Sequence, residues 1–453
     1  MAVHVIKRGL DLPITGAPTQ TVEDAPPVRR VAFVAADYPM AKPRMHVSVG
    51  DIVKRGQKLV DDRKSEGVFF TAPGAGTVVD VHRGDKRTLV SVVIELANDG
   101  PGQQVAFESW DGKRGAELSG DPLRAILAES GLWSALRARP FGRAPAITEQ
   151  CASIFVTAID TSPLAPAMAK VLAGKEDAFA TGVAALTRLT EGPVFVCTAA
   201  GSGIKVPTGE RVRHEEFAGP HPAGLAGTHI HLLDPVNRQR IAWHIGAQDV
   251  VAIGRFLETG KLDFERVISM AGPSVKTPRL LRTRLGASLD ELVAGQLEDG
   301  ENRVVDGSVI CGRTAMGPRD GYLGRFSQTV SCLREGRDRV FLGWLLPGGD
   351  KFSVTKAFLG SVLGGRRFPF TTDTEGSHRA MVPIGSFERV MPLDLMPTFL
   401  LRSLIIDDVE RAEALGALEL IEEDLGLCSY VSPGKEDYGP HLRRNLSTIW
   451  KEG

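Results

Sequence analysis

Val47-Ser-Val-Gly50-Asp51-Ile-Val53-Lys-Arg-Gly56-Gln57-Lys-Leu59 decides how the N-terminal part of this 453-residue chain folds. Apolar residues alternate here, and Gly50-Asp51 and Arg55-Gly56 interrupt them as turn formers. The strands must therefore be short and must fold back on one another. A second block has the same character: Thr71-Ala72-Pro73-Gly74-Ala-Gly76-Thr-Val78-Val-Asp-Val81, then Gly84-Asp85, then a β-branched run over 88–94.

The pattern V-x-x-G-D-x-V-x-x-G-Q-x-L followed by A-P-x-x-G-x-V resembles the barrel-sandwich hybrid of biotinyl and lipoyl domains, and residues 1–100 are assigned to such a lipoyl-like domain. Carriers of that kind display a modified lysine on a hairpin between the two halves. The corresponding stretch here, Asp61-Asp62-Arg63-Lys64-Ser65-Glu66-Gly67, lacks the Met or small apolar neighbours that modifying ligases prefer. Lys64 is read as part of a solvated charged hairpin, with a carrier or adaptor role as the alternative.

Outward from this block, Asp121 as N-cap, Pro122 in the first turn, and Leu123, Ile126 and Leu127 on one face predict a helix. A strand over 153–158, helices around 164–172 and 178–189, and a strand over 194–198 follow. Wholly apolar strands alternating with helices predict a parallel, Rossmann-like α/β domain over 115–260. Further strands over 229–233 and 241–245 and a helix over 249–257 complete it. From about 265 the pattern changes: a strand over 280–285, an S-x-x-E capping box at Ser288 and Glu291, and a returning strand over 303–312. Hairpin, helix and strand in so short a span resemble the β-grasp module of soluble-ligand-binding domains, placed at 262–335. Residues 336–453 read as a mainly helical C-terminal domain. Its helices fall at 354–363, 395–406, 409–418 and 439–450, with an irregular segment at 366–390.

Composition bounds the function. Lys+Arg number 54 against 55 Asp+Glu, a net charge of −1, and a chain with no excess charge is a poor candidate for a general nucleic-acid binder, which needs a basic surface. The longest apolar runs, 340–346 and 396–406, are far below the ~20 residues that span a bilayer, and no signal-peptide pattern opens the chain. A soluble, intracellular protein is expected. Five scattered cysteines, at 151, 197, 311, 332 and 428, include no CxxC pair and argue against a disulfide framework. Gly201-Ser-Gly203 follows a strand as a dinucleotide loop would, but Val206 stands where the third glycine belongs, so a turn is the better reading. His221, His229, His231 and His244 lie close in sequence, and His229 and His231 on a strand would share a face. No H-E-x-x-H or acidic helix accompanies them, and a polar core is the simpler reading. No nucleophile elbow or Cys–His–Asn set is present.

The order of these domains resembles the A-subunit family of the sodium-translocating NADH:quinone reductase of bacteria. Specific strings carry the match: Lys7-Arg-Gly-Leu-Asp-Leu-Pro13-Ile14, Gly67-Val-Phe-Phe-Thr-Ala-Pro73, Gly219-Pro-His221-Pro222-Ala-Gly224-Leu225 with Gly227-Thr-His229-Ile-His231, and Met381-Val-Pro-Ile-Gly385 with Glu388-Arg-Val-Met-Pro-Leu393. The resemblance implies a peripheral protein on the cytoplasmic face of the inner membrane, working with five other subunits, some integral to the membrane. In such a complex electrons pass from NADH through flavins and iron centres to ubiquinone, driving sodium outward. The family looks like a degenerate relative of the flavoprotein of complex I and of the C component of the Rnf complex. Where those relatives carry a glycine-rich flavin loop, this chain reads Ser130-Gly131-Leu132-Trp133-Ser-Ala-Leu-Arg-Ala-Arg-Pro140-Phe141. Their iron–sulfur domain survives at most around Cys428, with Ser432 where a second Cys often stands, and one thiolate cannot hold a cluster that takes four. No cofactor on this chain is therefore expected; a stand-alone complex I-type flavoprotein is the alternative. Ubiquinone is expected near Tyr38 and Met40 and near Trp133, Arg137, Arg139 and Phe141, which offer donors and an apolar wall.

Overall fold

The structure, a computed structural model, describes residues 2–97, 100, 102–110, 112, 118–338, 341–362 and 364–452. Two small antiparallel sheets build the N-terminal barrel. One orders Arg30–Val34, Leu89–Leu96, Gly76–Arg83 and Ile52–Val53; the other orders Pro43–Met45, Lys58–Asp62 and Phe69–Thr71. Alternation puts Val53, Leu59, Val78, Val92 and Ile94 in one buried core. Val93, pointing the other way from Leu89–Leu96, is buried against Ala32, Val34 and Tyr322. One strand thus joins the barrel to the part of the chain beyond residue 265.

The first strands leave the barrel. Ala2–Val5 pairs parallel with Val212–Ala218, and Thr19–Asp24 pairs parallel with Arg279–Arg284. Both lie inside the 1–100 segment assigned to the barrel, and both extend sheets built from residues hundreds of positions away. Each lies at a sheet edge and is mostly exposed, so its sequence carries no buried-strand signal.

The central sheet runs Ala2–Val5, Val212–Ala218, Val194–Ala199, Ser153–Ala158 and Ala242–Gly246, all parallel, with Arg137–Arg139 antiparallel at the far edge. The helices Glu176–Leu186 and Ala247–Thr259 pack against each other through two glycines. A Cβ on Gly182 would lie 2.1 Å from the Val250 carbonyl oxygen, and one on Gly254 would lie 1.8 Å from that of Ala178. The helix expected from Asp121 spans Gly120–Glu129, with Asp121 in its first turn rather than at its cap.

The strand expected over 229–233 is instead the helix Ala226–Leu233. His-Ile-His-Leu-Leu satisfies either period. Local bonds select the helix: Thr228 Oγ1 donates to the Pro222 carbonyl and the His229 amide to that of Leu225. The sheet position is filled by Val212–Ala218, whose polar, half-buried Arg-His-Glu-Glu run hides a strand.

The third sheet orders Arg313–Thr314, Asn302–Asp306, Thr329–Arg334, Glu265–Ala271, Arg279–Arg284 and Thr19–Asp24. Ser288 Oγ accepts the Glu291 amide and starts the helix Leu289–Val293, which is one half of the expected capping box. The Ser288 amide instead donates to the Arg30 carbonyl, and the Glu291 carboxylate accepts the Arg29 amide. The returning strand ends at Asp306, because Gly307 turns it away at a φ of 103°. Thr329–Arg334 takes the central place, parallel to Glu265–Ala271.

Pro397–Ile405, Val409–Ala414, Gly426–Val431 and Tyr438–Glu452 close a helical core around Phe387, Leu400, Leu404, Leu442 and Leu446. The helix expected at 354–363 shrinks to Leu359–Val362, and Leu363 lies outside the described residues.

Candidate functional site

At the carboxyl ends of Ser153–Ala158 and Ala242–Gly246, where α/β sheets commonly hold ligands, lies a cavity of about 330 Å³. The sheet supplies Asp160 and His244, the barrel supplies Asp37, and the edge strand supplies Arg137. Asp306 and Arg325 reach it from the third sheet and its loop, and Glu423 from the C-terminal region. Arg137 lies with its guanidinium carbon 4.8 Å from the centre of the Phe326 ring, and its nearest carboxylate, on Glu423, is 3.9 Å away.

Carboxyls line this cavity in an unusual state. Burial, with Asp306 nearby, pushes the Asp37 carboxyl up to about 6, although it accepts the Arg325 amide at 2.7 Å. Burial also raises Asp306, which accepts from Arg313 at 2.8 Å and from the Gly324 amide at 2.9 Å, and Asp160, which accepts the Ser162 amide. Arg266 and Arg325 share Asp249, at 2.5 and 3.0 Å. His244 is driven well below its ordinary value by burial and then by Arg137 and Arg139, so its imidazole is neutral. Because Arg266, Arg313 and Arg325 are matched to carboxylates, the cavity suits a neutral polar group better than a phosphate.

The expected quinone residues divide among three places. Tyr38 and Arg137 meet across Phe326: the Tyr38 ring lies 6.0 Å from it, and the Tyr38 hydroxyl is 3.3 Å from Ser134 Oγ. The 38–40 and 133–141 segments are therefore neighbours. Trp133 is fully buried, its indole N–H donating to the Pro145 carbonyl at 2.8 Å and its ring edge-on to Trp243. Arg139 is fully buried against Asp424 and the Glu419 carbonyl. Met40 and Phe141, both at positive φ, border the C-terminal helical core, with Phe141 against Trp450. Asp37, Asp160, Asp306, His244 and Arg325 were not singled out from the sequence as quinone residues. Asp160 alone had a usable signal, since it follows the carboxyl end of an apolar strand.

The other motifs find protein partners. His221 and His229 are buried and held down at about 4, chiefly by burial, and His229 Nε2–H donates to the Ala223 carbonyl at 2.9 Å. His231 bonds Glu419 through Nδ1 and accepts the Asp394 amide at Nε2. Among the described residues no group of three or more His, Cys, Asp or Glu is placed to hold a metal. The loop after Val194–Ala199 runs through Gly201 and Gly203 to another strand, so it does not lead into a helix N-terminus as a dinucleotide loop does. Lys64 is exposed at the hairpin tip, and Cys428 is buried with its thiol pushed up to about 12.

Three family descriptions match the chain: "NqrA N-terminal barrel-sandwich hybrid domain" over residues 4–97, "NqrA second alpha/beta domain" over 118–262, and "NQRA C-terminal domain" over 267–317. The A subunit of the Na(+)-translocating NADH-quinone reductase of Saccharophagus degradans is 52% identical over 448 residues, covering 99% of both chains. Its counterparts in Cellvibrio japonicus and Yersinia pseudotuberculosis are 52% and 50% identical with the same coverage.

Proposed function

This chain belongs to the A-subunit family of the sodium-translocating NADH:quinone reductase, and from that membership we propose that it serves the ubiquinone-reducing end of the complex while carrying no redox centre itself. Within the complex it acts with partners. In this reading they are five other chains, some integral to the membrane, that hold the flavins and iron centres and oxidise NADH. The protein then sits peripherally on the cytoplasmic face of the bacterial inner membrane. No described helix is long and apolar enough to cross a membrane, in keeping with attachment by a face.

The observation that carries the quinone reading is Arg137 over the Phe326 ring at the wall of the carboxyl-edge cavity. A quinone head group needs a donor for a carbonyl oxygen and a flat apolar wall, and these two side chains supply them. Tyr38 backs the ring, Trp133 and Arg139 hold the wall in place, and Met40 and Phe141 join it to the helical core. Asp37, with its carboxyl at about 6, is a proton source beside the same cavity.

Support for a chain without flavin comes from the turn at Ser130-Gly131-Leu132. A Cβ on Gly131 would lie 2.4 Å from Thr71 Oγ1, and buried Trp133 fills the space beyond, so protein atoms occupy what a phosphate would need. The strand orders also favour the finer assignments: a lipoyl-like barrel, a Rossmann-like sheet, and a β-grasp module whose first and last strands pair parallel at its centre.

The test is Arg137→Ala in the assembled complex. Quinone reduction should lose rate or apparent affinity, while NADH oxidation by an artificial acceptor is unchanged. Unaltered quinone kinetics would place the site elsewhere, and stoichiometric flavin absorbance in the purified chain would favour the complex I-type flavoprotein instead.

A further inference from the structure

Beyond the last strand of the third sheet, residues 341–362 turn apolar side chains to solvent. Phe341 is 88% exposed and Leu345 61%, and Leu342, Leu346, Leu359 and Val362 are exposed with them. The segment is tied, so this exposure does not come from loose chain. The Leu359 amide donates to the Pro347 carbonyl at 2.9 Å, the Gly360 amide to that of Gly348 at 3.1 Å, and the Ser353 amide to Ser361 Oγ at 2.6 Å. Phe352 anchors the base, 5.8 Å from both Phe368 and Phe370. Surfaces facing only water rarely concentrate apolar groups in this way.

Charge indicates what covers them. Residues 341–367 contain Lys351, Lys356, Arg366 and Arg367 against the single carboxylate Asp350. Lys356, Arg366 and Arg367 are exposed, and none has a carboxylate partner among the described residues. Phe and Leu interleaved with Lys and Arg are the chemistry of a bilayer interface: apolar groups enter the headgroup–acyl boundary and cations meet lipid phosphates. Loops of membrane-spanning proteins on the cytoplasmic side carry an excess of Lys and Arg, which a basic loop would repel. We propose that the loop 341–367 seats on an anionic lipid surface. The inference extends the peripheral attachment proposed above and stands apart from the quinone reading, which the assembled complex tests.

The experiment sediments the purified chain with vesicles of phosphatidylcholine alone or mixed with phosphatidylglycerol. Binding should require the anionic lipid and weaken as salt is raised. The double variants Phe341→Ser/Leu345→Ser and Arg366→Glu/Arg367→Glu should each lower the bound fraction by about fivefold, with unchanged thermal melting. No binding to anionic vesicles overturns the proposal, as does binding that survives both variants. Retention by detergent-solubilised membrane subunits without lipid, lost in Phe341→Ser/Leu345→Ser, would overturn it too and make this face a protein contact.

Discussion

Arg139 and Asp424 form a buried ion pair, Nη1 to Oδ2 at 2.6 Å, with 0% and 2% of their side chains exposed. The pair ties the edge strand of the central sheet to the C-terminal helical region. Each partner has further work: Arg139 reaches the Glu419 carbonyl at 3.0 Å, and Asp424 accepts the Ile421 amide at 2.8 Å. Burial raises the Asp424 carboxyl, and Arg139 opposes the rise.

Removing one partner of such a pair strands the other charge away from water. Asp424→Ala should therefore cost about 3–5 kcal/mol of stability, while Arg139→Met with Asp424→Leu should recover much of the loss. Denaturant melts of the three proteins check this. Equal stability of the single and double variants would mean that the pair is not what joins the two regions.

Buried histidines and buried carboxyls act on the pH dependence of stability with opposing signs. His221 and His229 are held at about 4 against an ordinary 6.5, so the unfolded chain binds more protons between those values. The stability of their neutral form is present above pH 6.5 and is lost as pH falls toward 4, each on the order of 3 kcal/mol. Asp37 acts the other way: its carboxyl rises from 3.8 to about 6, so the folded state binds the extra proton and gains stability as pH falls through that window. His244, also driven down, adds to the histidines, and Asp160, Asp306 and Asp424, also raised by burial, add to Asp37, so single variants read the two opposing contributions separately. Relative to the unsubstituted chain, the change in melting temperature from pH 7 to pH 4 should shift toward acid stability in His229→Gln and toward acid instability in Asp37→Asn.

Gly131 sits at a φ of 77° with Thr71 directly against it. Gly131→Ala should lower stability by about 1–3 kcal/mol, part from the left-handed backbone and part from the clash. Adding Thr71→Gly should relieve the clash and leave the backbone cost. If the double variant is no more stable than Gly131→Ala, the steric account fails.

Several elements were legible because their signals are local. The apolar run at Ser153–Ala158 became a strand with those bounds, and the Ser288–Glu291 spacing became a capped helix. A turn residue, a cap or an apolar run acts over a few positions, and so a sequence displays it directly. The strand expected at 229–233 failed because five residues of apolar and polar alternation fit two periods, and bonds to Pro222 and Leu225 decided between them.

What the amino-acid sequence determined alone was those pieces whose signals are local, such as the strand Ser153–Ala158 and the capped helix after Ser288, and, through its distinctive strings, the family. Only the tertiary structure decided which pieces meet. Ala2–Val5 completes a sheet with Val212–Ala218, Tyr38 touches Ser134, and Arg139 finds Asp424, 285 positions away. Strand edges and buried charges are satisfied by whatever partner the folded chain brings to them, and that partner has no fixed spacing in sequence. The same reason separated Arg137, whose side chain reaches the cavity, from Trp133 and Arg139, which the core enclosed.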